Sequence, residues 1–240
     1  MIEIGERPIL WHIMKGYSHQ GFNEFVICLG YKGYSIKEYF AHYFLHESDI
    51  TFDFRGSIGR EVHSHTAEPW KVTLVNTGLD TATGGRVKRI QPYIGNETFM
   101  LTYGDGVSDV DIKRLMAFHK SHGKLATITS TQPGGRFGAL DIAEDGRVLG
   151  FKEKPKGDGG WINAGFFVFS KEVFKHWKGQ NLESEVLPNL VPLKVLYAYQ
   201  HNGFWKSMDT SRDQADLEEL YLEGRACWPV ARPQSSASAS

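Results

Sequence analysis

The sequence predicts an α/β protein built on a doubly wound, mostly parallel sheet with a small antiparallel part. Three observations lead there. Short apolar runs of strand length alternate with segments of helical period along most of the chain. The runs close on glycine or turn residues. A chain of 240 residues with 41% hydrophobic and 13% aromatic content can bury one large core.

In order, Pro8 suits an early helical position, and Ile9, Leu10, Ile13, Met14 and Tyr17 recur at helical spacing until Gly21. Residues 24–29 are a continuous apolar run ending at Gly30, the pattern of a buried parallel strand. Ile36, Tyr39, Phe40, Tyr43 and Phe44 then resume the helical period. Residues 50–76 read as strands and turns, 84–93 as a short helix, 98–103 as a buried strand, 112–122 as a helix and 125–131 as a strand. From 137 to 169 short strands with glycine-rich turns replace the helices, a place to enclose a substrate. Helical patterns return at 171–177 and 213–222. Residues 1–230 thus read as one domain, and 231–240, which has no apolar period, as a disordered tail. Doubly wound domains commonly open with a strand whose glycine-rich turn cradles phosphate at a helix N-terminus, and here the first helix has no such strand before it.

Composition narrows the function. With 27 basic and 28 acidic residues the net charge is -1, so no global field steers the chain to nucleic acid or to a membrane, and any polyanion site is local. Apolar stretches are strand-sized and the N-terminal residues carry no leader-like pattern, so neither a signal peptide nor a membrane span is expected. Cys28 and Cys227, far apart and in no metal-binding spacing, fit a reducing, cytoplasmic setting. The nucleophile elbow, the zinc-protease helix and the paired Cys-x-x-Cys are all lacking, which leaves phosphoryl or nucleotidyl chemistry.

Several constellations suit that chemistry, each with a plainer alternative. Asp105 stands between Gly104 and Gly106 directly after an apolar strand, where a carboxylate can hold Mg²⁺ or simply make a turn. Asp209, just before the last helix, is a second Mg²⁺ ligand or, with Thr210, an N-cap. Glu153 and Lys154 lie in a charged Pro-Gly segment where lysine can meet a phosphate, or where the charges are merely solvated. Asn163 can bond a sugar hydroxyl or begin a strand. Thr83 and Arg86 offer a hydroxyl and a guanidinium to a nucleotide, or make a helix-entry turn. The Gly-rich turn ending at Gly138 allows close backbone approach to a ligand, or joins two strands. His63 with His65, and His42 with His46, share a face, but neither pair has a third ligand nearby in sequence.

Taken together, Glu3-Ile-Gly5, Pro8-Ile-Leu-Trp-His-Ile-Met14, Gly30-Tyr-Lys-Gly33, Glu68-Pro-Trp70, Thr83-Gly-Gly-Arg86, Thr102-Tyr-Gly-Asp-Gly106, Gly135-Arg-Phe-Gly138, Glu153-Lys-Pro-Lys-Gly-Asp158 and Met208-Asp-Thr210 resemble the glucose-1-phosphate cytidylyltransferases, a branch of the sugar-phosphate nucleotidyltransferases. The resemblance runs from Met1 to about Trp228 and loosens between 177 and 197. It implies a Rossmann-like, GT-A-like fold and transfer of CMP from CTP to α-D-glucose 1-phosphate, giving CDP-glucose and pyrophosphate for dideoxyhexoses of surface polysaccharides such as O-antigen. It implies Mg²⁺ held by Asp105 and Asp209, the sugar phosphate on Lys154, sugar hydroxyls on Glu153 and Asn163, the nucleotide on Thr83 and Arg86, close approach at Gly104 and Gly138, and a homo-oligomer. The family opens with a strand, a Gly-Gly-x-Gly-Thr-Arg turn and a Pro-Lys-Pro segment that this sequence does not contain, so strongly reduced activity is the expectation. The competing expectations are a non-catalytic relative that binds sugar phosphate or a homologous subunit, and a transferase for another nucleotide or sugar.

Overall fold

A computed structural model describes residues 1–56, 59–132, 139–152 and 160–230. A short antiparallel pair, β1 (Glu3–Ile4) and β2 (Arg7–Pro8), leads into α1 (Ile9–Ser18), whose apolar stripe buries Ile9, Trp11, Ile13, Met14 and Tyr17. Strand β3 (Glu24–Leu29) follows, then α2 (Gly33–His46) and an antiparallel hairpin of β4 (Ser48–Asp53) and β5 (Gly59–His65). Strand β6 (Lys71–Asn76) returns parallel to β3. The helix expected over 84–93 is two pieces, α3 (Thr83–Arg89) and α4 (Gln91–Ile94), broken at Ile90 because Pro92 cannot donate to the preceding turn.

Strand β7 (Phe99–Thr102) and the short β8 (Gly106–Ser108) flank Asp105, and α5 (Ile112–His122) is capped by the Asp111 side chain, which accepts from the Arg114 N–H at 2.8 Å. Next come β9 (Ala126–Thr131), β10 (Ala139–Ile142), β11 (Val148–Lys152) and β12 (Trp161–Phe169). Residues 171–177, expected as an α-helix, form a 3₁₀ segment over Lys171–Lys175. A π-type turn, Leu182–Val186, runs into α6 (Leu187–Leu190), and β13 (Leu196–Gln200), β14 (Trp205–Ser207) and α7 (Ser211–Leu222) finish the described chain.

The larger sheet has the order β11-β10-β12-β9-β13, with β7 on β12. It is mixed: β9 and β13 are parallel, while β12 runs against β7, β9 and β10. The parallel rhythm of the sequence therefore holds for β3–β6 and β9–β13, and the reversed β12 supplies the antiparallel part. Strand β12 also explains why its apolar run is continuous. Phe167 and Phe169 enter the cluster with Ile128, Trp177, Leu187 and Leu190, whereas Phe166 and Val168 enter the one with Ile13, Ile112, Leu115 and Leu217. Alternate residues face opposite sides, so a strand covered on both is apolar throughout. Each such fully buried side chain contributes about 1.5–3 kcal/mol of transfer free energy.

Candidate functional site

Asp105 and Asp209 lie 104 positions apart in the chain and meet through one short antiparallel pairing, in which Ser207 is opposite Gly106. The Met208 N–H continues the ladder by donating to the Asp105 carbonyl at 2.7 Å. Strand β14 is pinned by Trp205, whose Nε1–H donates to the Ala164 carbonyl on β12 at 2.7 Å. The two carboxylates thus sit at one end of a fixed hinge of backbone. Asp105 lies exposed at the edge of the cavity, and its carboxyl is pushed above the usual carboxylate range first by desolvation and then by the charge of Asp209. N-capping of α7 falls to Thr210: its hydroxyl accepts from the Asp213 N–H, and the Asp213 carboxylate accepts from the Thr210 N–H at 3.0 Å. Asp209 is left to accept from the Ser207 hydroxyl at 2.9 Å.

A second polar group lies beside this pair. Asn163 Nδ2 donates to the Tyr103 hydroxyl at 2.9 Å, and its Oδ1 accepts from the Gly165 N–H at 2.8 Å. Tyr103 in turn donates to Glu183 Oε1, and Thr83 donates to Glu183 Oε2 at 2.8 Å. Asn163, Tyr103, Glu183 and Thr83 therefore form one chain of hydrogen bonds, from β12 across β7 to the start of α3. Tyr103 and Glu183 were missed from sequence. Tyr103 reads as a strand residue, and Glu183 is placed by the π-type turn, whose N-cap Asn181 accepts from the N–H groups of Glu183 and Ser184.

Arg86 has a different setting. Its guanidinium donates to the carbonyls of Leu29 and Leu79, both at 3.1 Å, and to the Thr77 hydroxyl at 2.7 Å, tying the ends of β3 and β6 together. It lies so close over Gly30 that a Cβ there would meet it at 2.6 Å. In this arrangement its donors are engaged by the protein. A Cβ on Gly104, by contrast, would meet nothing within 4 Å, so the backbone beside Asp105 is open to a ligand.

Thr83, Tyr103, Gly104, Asp105 and Glu183 all line a cavity of about 1530 Å³ between β3 and β7. Lys154, Glu153 and Gly138 lie outside the described residues. The histidine pairs gain no partner: among the described residues no group of three His, Cys, Asp or Glu side chains is placed to hold a metal. Burial raises the Cys28 thiol to about 11, the value of an inert side chain. No described helix is long and apolar enough to cross a membrane.

The profile of the Nucleotidyl transferase family matches residues 1–210, which take in both aspartates. The chain belongs to the nucleotidyl transferase family. Within that family it is 54% identical over 231 residues to glucose-1-phosphate cytidylyltransferase of Salmonella typhi, covering 95% of this chain and 89% of that one. It is 42% identical over 230 residues to the probable glucose-1-phosphate cytidylyltransferase of Bacillus subtilis strain 168, with the same two coverages. Its fold is shared with HddC from Yersinia pseudotuberculosis at a TM-score of 0.73 and 22% identity, over 92% of this chain and 88% of that one. It is shared equally with UDP-glucose pyrophosphorylase, solved with UDP-glucose, at a TM-score of 0.71 and 15% identity, over 94% and 90%. By family the chain is a sugar nucleotidyltransferase.

Proposed function

We propose that this nucleotidyltransferase joins CTP and α-D-glucose 1-phosphate to give CDP-glucose and pyrophosphate. The observation that carries the reading is the meeting of Asp105 and Asp209 beside an open glycine at the mouth of a large cavity, in a chain 54% identical to a glucose-1-phosphate cytidylyltransferase. The sugar phosphate attacks the α-phosphorus in line, so alignment and offset of charge are the enzyme's task and no covalent intermediate is needed. Two carboxylates fit a Mg²⁺ ion, which takes one or two of them together with substrate phosphates and, when bound, neutralises charge on the transferring group. Asp105 is raised first by desolvation and then by the charge of Asp209, and a cation held by the two carboxylates would offset that like-charge repulsion.

In this reading Thr83 and Arg86 stand on the nucleotide side. Arg86 acts there mainly by holding the ends of β3 and β6 through Leu29, Thr77 and Leu79. Asn163, fixed by Tyr103 and Gly165, keeps one amide N–H to offer a sugar hydroxyl. Lys154 takes the sugar phosphate and Glu153 a further hydroxyl, with Gly138 giving the ligand room. The role in surface-polysaccharide synthesis, the cytoplasmic setting and a homo-oligomeric state belong to the same proposal.

The test is to incubate the chain with radiolabelled glucose 1-phosphate, Mg²⁺ and each of the four nucleoside triphosphates, with Asp105→Asn as the blank. Labelled CDP-glucose above the blank, from CTP only, is the expected result. Product from another triphosphate at an equal rate, or no product together with CDP-glucose binding no tighter than UDP-glucose, overturns the proposal.

A further inference from the structure

Asp105 and Asp209 stand at one end of the ribbon made by β8 and β14, and a second knot of polar groups stands at the other. In the ribbon's register Ser207 faces Gly106 beside the aspartates, and Trp205 faces Ser108 at the opposite end. Residues 201–204 carry the chain from β13 into β14, and the buried His201 side chain folds back onto β8. Its Nε2 lies 2.9 Å from Asp109 Oδ1, 3.2 Å from the Phe204 carbonyl and 3.3 Å from the Ser108 hydroxyl. The Ser108 proton is committed to the Phe204 carbonyl at 2.7 Å. Nε2 therefore faces acceptors only, which assigns it the ring hydrogen and makes it the donor.

The knot joins the ribbon to the larger sheet. The His201 N–H donates to the Ser130 carbonyl at 2.8 Å, so the residue that clamps β8 is itself fixed to β9. The Asp109 N–H donates to the Phe204 carbonyl at 3.2 Å and closes the ladder at this end. The turn passes over the pair without slack: a Cβ on Gly203 would lie 2.4 Å from Asp109 Oδ1 and 2.7 Å from His201 Cε1. Two paired strands of three residues each do not hold their own geometry in water, so the ribbon's shape is set by what ties its ends.

We propose that His201 is a positioning residue for nucleotidyl transfer: its Nε2–H holds the turn into β14 against β8 and, through the short ladder, sets where Asp209 stands relative to Asp105. The inference rests on the reading of the two aspartates as a cation site and deepens it. Mg²⁺ demands near-ideal ligand geometry, so a small shift of β14 is felt as lost cation affinity. The effect runs through the Nε2–H bond. Glutamine offers an amide N–H at similar reach, whereas leucine fills space without a donor.

The test is Mn²⁺ alone, titrated into the full chain and followed by electron paramagnetic resonance, with urea unfolding of every variant alongside. His201→Leu should weaken Mn²⁺ binding at least fivefold, and His201→Gln should restore it to within twofold of the parent. Gly203→Ala, which leaves the imidazole in place and crowds it, should weaken binding at least threefold and reads the same clamp if the leucine variant does not fold. Val173→Ala, in the cluster of Phe167 and Trp177, is the stability control: it should lower the urea midpoint and leave Mn²⁺ affinity unchanged. Parent-like binding in the folded His201 and Gly203 variants, while Asp209→Asn binds weakly, overturns this inference and spares the cation site. A glutamine variant as weak as the leucine one, or a control weakened as much as either, also overturns it. If Asp209→Asn itself binds Mn²⁺ as the parent does, the cation reading falls and this inference falls with it.

Discussion

Gly165 offers a sharp test of how the site is braced. Its φ is +77° at the irregularity in β12, and a Cβ there would lie 2.6 Å from Tyr103 Cδ2 and 3.1 Å from Cγ. Gly165→Ala therefore meets two costs: roughly 1–3 kcal/mol for a non-glycine residue held at positive φ, and roughly 1–3 kcal/mol for overlap with a packed ring. Together these come to about 2–6 kcal/mol against a typical total of about 5–15 kcal/mol. Urea unfolding followed by tryptophan fluorescence should show the midpoint falling by about 1 M or more. The two costs separate in a double-mutant cycle. In a Tyr103→Ala background the ring is gone and Gly165→Ala should cost only the backbone part, whereas in Tyr103→Phe, which keeps the ring and loses the hydroxyl, the full cost should remain. An equal loss in all three backgrounds would refute the steric link between Gly165 and Tyr103.

Other outcomes follow from the same structure. Asp105 has a folded-state pKa above its unfolded value, so its contribution to stability is full below the unfolded value and is lost as pH rises through the folded one. Asp105→Asn should accordingly raise the melting temperature at pH 7 in metal-free buffer, and the difference should vanish near pH 3. His119 is the opposite case: burial first, then His122 and Lys120, lower it to about 4. Its contribution is present above the ordinary value of about 6.5 and is lost as pH falls toward 4, so His119→Gln, bonded to Thr127 and Ser170 as the imidazole is, should flatten that acid limb in a pH series of melts. Thr210→Ala removes the α7 capping box and should cost about 0.5–2 kcal/mol by urea denaturation, with Asp213→Ala adding little to it.

Much of this was legible from residues, and the limits have physical causes. The helix at 112–122 declares itself because burial of one face imposes a period on the side chains, and the strand at 24–29 because its apolar run is continuous, although only Leu29 of it is buried and the other residues are half-buried or exposed. Asp105 stands out because a carboxylate between glycines after an apolar strand is placed by local chemistry alone. Its meeting with Asp209 depends on β8 and β14, three residues each, too short to show a period. Glu183 sits in a polar stretch whose wide turn is stabilised by Asn181 and by tertiary packing of Leu182 and Val186, none of which a pattern displays. Arg86 was recognisable as a residue type suited to phosphate, but its engagement by three chain oxygens is set by where β3 and β6 end.

We propose that Asp105 and Asp209 act as one cation site for nucleotidyl transfer. Manganese binding, measured by electron paramagnetic resonance in the presence of CDP-glucose, tests it most directly. Asp105→Asn and Asp209→Asn should each weaken Mn²⁺ binding at least tenfold, and CDP-glucose formation should fall with it. Unchanged Mn²⁺ affinity in both variants would contradict it.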